Sequence, residues 1–450
     1  MNCLPAMADD GDGFNPMTGG PTTGGAMTGG AMTGGPVTFS PTTIGEPVLR
    51  WRSRARSIEG IEQELSRIWS SPDLNRDLDG DKITDLRVAA RTSVMNLVVI
   101  ARRQEIGERC ASTIQRLTGR HPSRTTILGS ADPDGPSWLD AQIQAHCVLP
   151  RQDAAATCAE TIYVTAGGEG GRHLDAIVAP LLIHDLPVTV WWPDEPPFGS
   201  QPANDLFEMA DRLIVDGSGW RGTGLEQLRR MAGLQERLPL AISDFALVRQ
   251  SRWREAIASI FDIPNFLPYL RHLRRIAITY GVREDGGAET TNIVKPVYHA
   301  GWLASRLGMH VTKPLSPVVG PIRRGPTRPG GAGPLATAGH GLGATLRVDR
   351  TDVAVVVRPV LSEMPPGTTL RIELLADWRG SELRADVTAE QEAVHARIWQ
   401  DGVHALERGF NAPRRTDVDL LAEAIEGGGR DPVAVGATRL AADLAGGVIL

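Results

Sequence analysis

Hydrophobic and polar positions follow two rhythms along this chain, and the change of rhythm divides it. Ile58, Ile61, Leu65, Ile68 and Trp69 recur at helical spacing, and Pro72 stops the run. A longer helical pattern spans Arg87–Leu117 around the apolar segment Val94–Ile100, closed by Gly119 and Pro122. From Thr125 the pattern predicts strands at Thr125–Leu128, Ala141–Leu149, Ala159–Thr165, Pro187–Trp192, Arg212–Val215 and Ile276–Tyr280. Helical runs fall between and after them, at Leu174–Ile183, Asn204–Ala210, Leu225–Gln235, Trp253–Phe261 and Val294–Leu307. This alternation predicts an α/β fold, with a mostly parallel Rossmann-like sheet and helices on both faces. Beyond Gly343 strands follow one another, at Thr345–Val348, Val353–Arg358, Thr369–Leu375, Leu383–Val387 and Ala393–Trp399, before helical patterns at Val418–Ile425 and Val433–Leu444. That half reads as a smaller α+β C-terminal domain with an antiparallel sheet.

Glycine marks the boundaries. The chain has 50 glycines, concentrated at the N-terminus and between Gly320 and Gly343. From Pro16 the sequence repeats in fives, PMTGG, PTTGG, AMTGG, AMTGG. Such a segment buries too little apolar surface to offset about 1–2 kcal/mol of backbone entropy per residue. Residues 1–42 therefore read as a disordered tail, 43–319 as the N-terminal α/β domain, 320–343 as a Pro/Gly-rich linker and 344–450 as the C-terminal domain.

Composition narrows the class. A hydrophobic fraction of 41% with 22% charged residues is an ordinary globular mix. No run approaches the ~18–20 apolar residues of a spanning helix, so no membrane role is expected. A net charge of −6 gives no general reason to bind nucleic acid. Four cysteines, without a C-x-x-C pair, are too few for a disulfide framework. The N-terminus lacks the basic and apolar regions of a signal peptide, so a reducing cytoplasm is the expected location.

Candidate chemistry is sparse. There is no Walker A loop, H-E-x-x-H pair or G-x-S-x-G elbow. Gly167–Gly171 follows a strand and opens a helix, the right context for an anion, with Gly168 and Gly170 as candidate glycines. His173 stands where a third glycine belongs and Glu169 would repel a phosphate, which favours a plain turn. Arg120, His121 and Arg124 could clamp a sugar phosphate or a partner's carboxylate, or serve as a strand cap with solvated arginines. His146, Cys147, Cys158 and His173 match no common zinc spacing, and neither a metal nor another cofactor is expected. A Cys147–Cys158 bond remains conceivable on neighbouring strands. Asp194, Glu195 and Asp216 sit just after strands, as ligand groups or as turns and caps. Trp191 and Trp192 must point to opposite faces of their strand, and Pro193, Pro196 and Pro197 stiffen the loop around Asp194. One indole then forms a surface anchor for a partner, or both pack internally.

Several segments together resemble the OpcA family, the bacterial glucose-6-phosphate dehydrogenase assembly proteins. They are RHPSR at Arg120–Arg124, the strand ending CAETIYVTAGG, PLLIHDLPVTVWWP at Pro180–Pro193, ADRLIVDGS at Ala210–Ser218, SRWREAIASIFD at Ser251–Asp262 and AGWLASRLG at Ala300–Gly308. RRTDVDLLAEAIEGGGRDPV near the C-terminus is similar to the family's closing helices. The resemblance implies a non-catalytic partner that binds glucose-6-phosphate dehydrogenase, promotes its active oligomer and raises its activity in the oxidative pentose phosphate pathway. It leaves room for a small-molecule effector. On this reading the expected partner-binding residues are Trp191, Trp192, Pro193 and Asp194, with Arg323 and Arg324 at a polar rim. The competing reading is a sugar-phosphate- or nucleotide-binding α/β enzyme or sensor.

Overall fold

The structure, a computed structural model, describes residues 35–36, 45–71, 90–91, 93–131, 134–148, 156–283, 290–318, 341–390 and 392–447. Nearly all of segments 1–42 and 320–343, Arg323 and Arg324 included, lie outside the described residues.

The first sheet takes its strands in chain order from β1 (Gly35–Pro36), β2 (Pro47–Ala55), β3 (Ala90–Arg91), β4 (Met95–Ile100), β5 (Ser123–Ser130), β6 (Trp138–Val148), β7 (Thr157–Gly167), β8 (Val188–Trp192), β9 (Arg212–Val215) and β10 (Ala241–Asp244). Across this 10-stranded sheet the order is β1-β2-β6-β7-β5-β4-β8-β9-β10, with β3 against β7. The run from β7 to β10 is parallel, while β6 and β2 add antiparallel strands at its edge. The chain leaves β4 first toward β5 and β7, then returns to its other side at β8. This places a topological switch point between the carboxyl ends of β4 and β8, where ligands gather in open α/β sheets.

The helices, in chain order, are α1 (Ile58–Ser70), α2 (Gln104–Gln115), α3 (Glu169–Arg172), α4 (Leu174–Leu181), α5 (Gln201–Glu208), α6 (Leu225–Arg237), α7 (Phe245–Val248), α8 (Ser251–Phe261), α9 (Val294–Arg306), α10 (Asp417–Glu426) and α11 (Pro432–Leu444). The α1 pattern forms as its spacing dictates. Ser57 caps it by accepting from the Gly60 amide at 3.0 Å, and Ile61, Leu65 and Ile68 are buried. The helical reading of Arg87–Leu117 is corrected: Met95–Ile100 is the central strand β4, buried along its length, and α2 begins only at Gln104. A strand covered on both faces is apolar at nearly every position, here all but Asn96, and so loses the alternation that marks a strand.

The second sheet contains β11 (Leu273–Val282), β12 (His310–Pro317), β13 (Leu342–Val348), β14 (Thr351–Leu361), β15 (Thr369–Trp378), β16 (Ser381–Glu390), β17 (Ala393–Gln400) and β18 (Val403–Asn411). Its order is β12-β13-β14-β11-β15-β16-β17-β18. All pairs are antiparallel except β11 with β14. Two of its strands, β11 and β12, thus precede the 320–343 segment in the chain. One continuous core joins the two sheets, from Ile162 and Val190 in the first to Ile278, Val355 and Ile398 in the second. A smaller cluster lies under α2 and α10.

Helix α11 closes the molecule against α9. The backbone approach is so close that a Cβ on Gly301 would stand 2.6 Å from the Ala437 carbonyl oxygen, so no larger residue fits there without moving the helix.

Candidate functional site

The Arg120–Arg124 segment leads into β5, and its side chains are bound to other parts of the chain. Arg124 is buried (6% exposed) and its Nε donates to Oε1 of Glu160, a fully buried carboxylate on β7. Its Nη1 also donates to the Leu181 carbonyl at 2.9 Å, at the end of α4. Arg120 and His121 both meet Oε1 of Glu426 on α10, His121 through Nε2 at 2.8 Å. The clamp foreseen for a sugar phosphate or a partner's carboxylate therefore holds carboxylates of this same chain. Arg124 is not a solvated cation, because neighbouring parallel strands place it beside Glu160 in register.

The glycine-rich turn after β7 is filled from within. Gly168 adopts φ 58°, and a Cβ on it would lie 2.7 Å from the Ser137 amide nitrogen. The Glu169 amide, which would face an anion, donates instead to Ser137 Oγ at 3.2 Å. Gly170 lies inside the four-residue helix α3, which ends at Arg172 with His173 as its cap. Gly167 and Gly168 admit the chain at Pro136–Trp138, where β6 starts.

Trp191 and Trp192 do point to opposite sides of β8, one into each core cluster. Both are 3% exposed, Trp191 with its ring 6.1 Å from Phe245 and Trp192 with its ring 5.9 Å from Phe207. The expected surface anchor at Trp191 or Trp192 is thus corrected to internal packing, because α5 and α7 cover both faces of the strand end. Pro193 and Asp194 follow, half-buried, and Asp194 approaches Arg103 at 3.9 Å across the β4–β8 switch point. Glu195 accepts from the Arg221 amide and the Gln227 side chain, each at 2.7 Å. Asp216, after β9, receives Arg249 Nη1 at 2.8 Å on both oxygens and caps Ser218. The strand-end carboxylates act as turn and cap groups.

Cys147 and Cys158 stand directly opposite on β6 and β7 and form a disulfide, with Cα atoms 4.0 Å apart. Cys110 is buried, and burial pushes its thiol up to about 12. A shallow cleft of about 540 Å³ lies between β12 and α11, lined in part by His310, Arg430 and Arg439. Arg430 there donates to the Gln235 carbonyl. Among the described residues no group of three or more His, Cys, Asp or Glu is arranged to hold a metal. No described helix is long and apolar enough to cross a membrane.

A deeply buried carboxylate that the residue pattern did not single out is Asp244. It ends β10, caps α7 through the Ala246 amide and accepts from Gly217 N and Tyr298 Oη, each at 2.8 Å. The S-D-F-A-L sequence is a visible N-cap signal, but nothing local announces the contact with Tyr298.

Comparison with known proteins gives a consistent picture. A family model described as the N-terminal domain of a glucose-6-phosphate dehydrogenase subunit matches residues 114–232. A second, described as the C-terminal domain of the same kind of subunit, matches residues 240–434. A putative OxPP cycle protein OpcA from Nostoc punctiforme is 28% identical over 174 residues, covering 38% of this chain and 34% of that protein. Its namesake from Synechocystis is 27% identical over 183 residues, covering 40% and 36%. The chain spans about a third of the length of the curated relatives it matches. Among solved structures, a 3-ketoreductase from Actinomadura kijaniata aligns at a TM-score of 0.40 with 11% identity, over 79% of this chain and 96% of that one. An NAD-binding oxidoreductase from Klebsiella pneumoniae aligns at 0.41 with 10% identity, over 78% and 95%. Likeness at that level carries no argument about chemistry.

Proposed function

The chain belongs to the OpcA family of glucose-6-phosphate dehydrogenase assembly proteins, and from that premise we propose that it is a non-catalytic binding partner of that dehydrogenase. It holds the enzyme in its active oligomer and raises its activity in the oxidative pentose phosphate pathway, in the cytoplasm. One observation supports this beyond the family match. The groups placed where an α/β enzyme works, Asp194, Glu195, Asp216 and the Gly167–Gly171 turn, are engaged by other groups of the chain, as is Arg124 at the opposite, amino end of β5. What such a molecule offers outward is surface.

The energetic demand is small. An activator must bind the competent state of the enzyme more tightly than the alternative state. A tenfold gain in apparent substrate affinity needs about 1.4 kcal/mol of differential binding. The test is assay of purified glucose-6-phosphate dehydrogenase with and without this protein, paired with light scattering. A larger particle and a higher rate or lower KM are expected. Unchanged kinetics with unchanged particle mass would overturn the proposal.

A further inference from the structure

Among the described residues, one face of the second sheet carries no further layer. Along β11, β14, β15, β16 and β17, Ile276, Val355, Leu374, Val387 and Ile398 point into the core. The alternate residues point away, and their ion pairs run between strands, Arg371 to Asp386, Arg397 to Glu407 and Arg347 to Asp352, and along β16 from Arg384 to Asp386.

Around Arg275 the charges on this face are unbalanced. Pairing register puts Arg275, Leu375 and Arg384 in one row across the sheet, and Ala277, Glu373 and Asp386 in the next. Arg358, Thr279 and Arg371 form the third. A row of carboxylates therefore lies between two rows of arginines. Arg371 reaches Glu373 at 3.0 Å and Asp386 at 2.6 Å, Arg384 reaches Asp386 at 2.8 Å, and Arg358 lies 3.9 Å from Glu373. Among the described residues the Arg275 side chain makes no hydrogen bond or ion pair, and the Nε atoms of Arg275, Arg358 and Arg371 are buried without a hydrogen-bond acceptor, while Arg384 Nε lies 3.6 Å from Glu373. Burial, with the adjacent Arg275 and Arg371 guanidiniums, pulls the Arg358 pKa down against the pull of Glu373. A half-buried guanidinium lacking an acceptor, as at Arg275, is costly alone and strongly favourable once a carboxylate reaches it.

Beside the arginines, Leu375 and Trp399 present half-buried apolar surface, and the Arg384 guanidinium lies 5.2 Å from the Trp399 ring centroid. Arg and Trp are the residue types that dominate interface energetics. Eight strands spaced about 4.8 Å apart and roughly nine residues long give a face of about 1,000 Å². A standard interface needs about 800 Å² per partner. A second copy of this chain centred on the patch would set arginines against arginines and bring no missing acceptors.

We propose that this face docks on a carboxylate-bearing surface of the dehydrogenase, whose acidic side chains reach Arg275 and Arg358. The inference rests on the assembly reading above and names the surface that performs it. The test uses the full chain, with Arg275→Glu to reverse the central charge and Ala354→Arg to obstruct the same face from an exposed position. Binding and activation of purified dehydrogenase are followed at low and high salt, with circular dichroism and Tm as controls on folding. The wild type should bind and weaken with salt, and each folded variant should bind at least tenfold more weakly. If the wild type binds and both folded variants bind equally well, the docking face lies elsewhere and the assembly reading stands. A wild type that neither binds nor alters the enzyme removes the assembly reading, and this inference with it. A chain that scatters as a dimer until Arg275→Glu dissociates it would show that the face joins two copies, which overturns the inference.

Discussion

Tyr298 and Asp244 are joined inside the core: the phenol on α9 donates to Oδ2 of the carboxylate that ends β10, at 2.8 Å. The Gly217 and Ala246 amides supply the other oxygen, each at 2.8 Å. Burial first, and the nearby Asp216 charge second, push Asp244 from an ordinary 3.8 up to about 6. The folded state therefore binds this proton more readily than the unfolded chain does. The contribution of Asp244 is most favourable below about pH 4 and is lost as pH rises through about 6. Above that pH the buried carboxylate depends on its three donors. We predict that Tyr298→Phe costs about 1.5–3 kcal/mol at pH 8, as for a hydrogen bond to a charged group, and clearly less at pH 5. Urea unfolding at the two pH values measures this, and an equal loss at both would refute the coupling.

His299 acts in the opposite direction. It is fully buried on α9, its ring 5.3 Å from Trp253, and neither ring nitrogen has a hydrogen-bond partner among the described residues. Burial first, then the Arg254 and Lys295 charges, drive its pKa from 6.5 down to about 3. His146 on β6 is pulled down to about 4, by burial and then by Arg52. The unfolded chain binds these protons first, so stability falls as pH drops below about 6.5, by about 1.4 kcal/mol per pH unit for each histidine. Two histidines outweigh one carboxyl, and the protein should lose stability between pH 6 and pH 4. Replacing the imidazole in His299→Phe should flatten that loss. A denaturation midpoint that tracks pH identically in wild type and variant would exclude His299 as a source.

How much of this was legible in the sequence depends on whether the signal is local. Ile61, Leu65 and Ile68 mark α1 at their own spacing, and the alternating strands from Thr369 to Trp399 reveal a half-covered sheet. Met95–Ile100 did not declare itself a strand, because helices cover both of its faces and every position is apolar or buried. Trp191 and Trp192 showed the two-sided strand but not the covering of both sides, which α5 and α7 supply from later in the chain. The membership of β11 in the second sheet was hidden for a similar reason: its partners β14 and β15 lie beyond the 320–343 segment. Arg124 shows the limit for sites. Its type and place suggested an anion, and only the register of β5 against β7 shows that the anion is Glu160.

That pair makes the last prediction. Arg124 and Glu160 are 6% and 0% exposed, so each charge is kept from water beside the other, with Glu62 a further 3.4 Å partner of Arg124. Trp69 Nε1 donates to the second oxygen of Glu160, which ties α1 to β7 through the same carboxylate. Removing one member of a buried pair typically costs about 3–5 kcal/mol, since the survivor is left charged and uncompensated, whereas replacing both with apolar residues of similar volume is often close to neutral. Arg124→Met should therefore destabilise the protein strongly, and the double variant Arg124→Met, Glu160→Met should recover a large part of the loss. The recovery stays incomplete, because Trp69 loses its acceptor in the double variant. Equilibrium unfolding of the wild type, the two single variants and the double variant gives the coupling. If the double variant is as unstable as the sum of the singles, the two charges are not a compensating pair, and Arg124 is free to face a ligand after all.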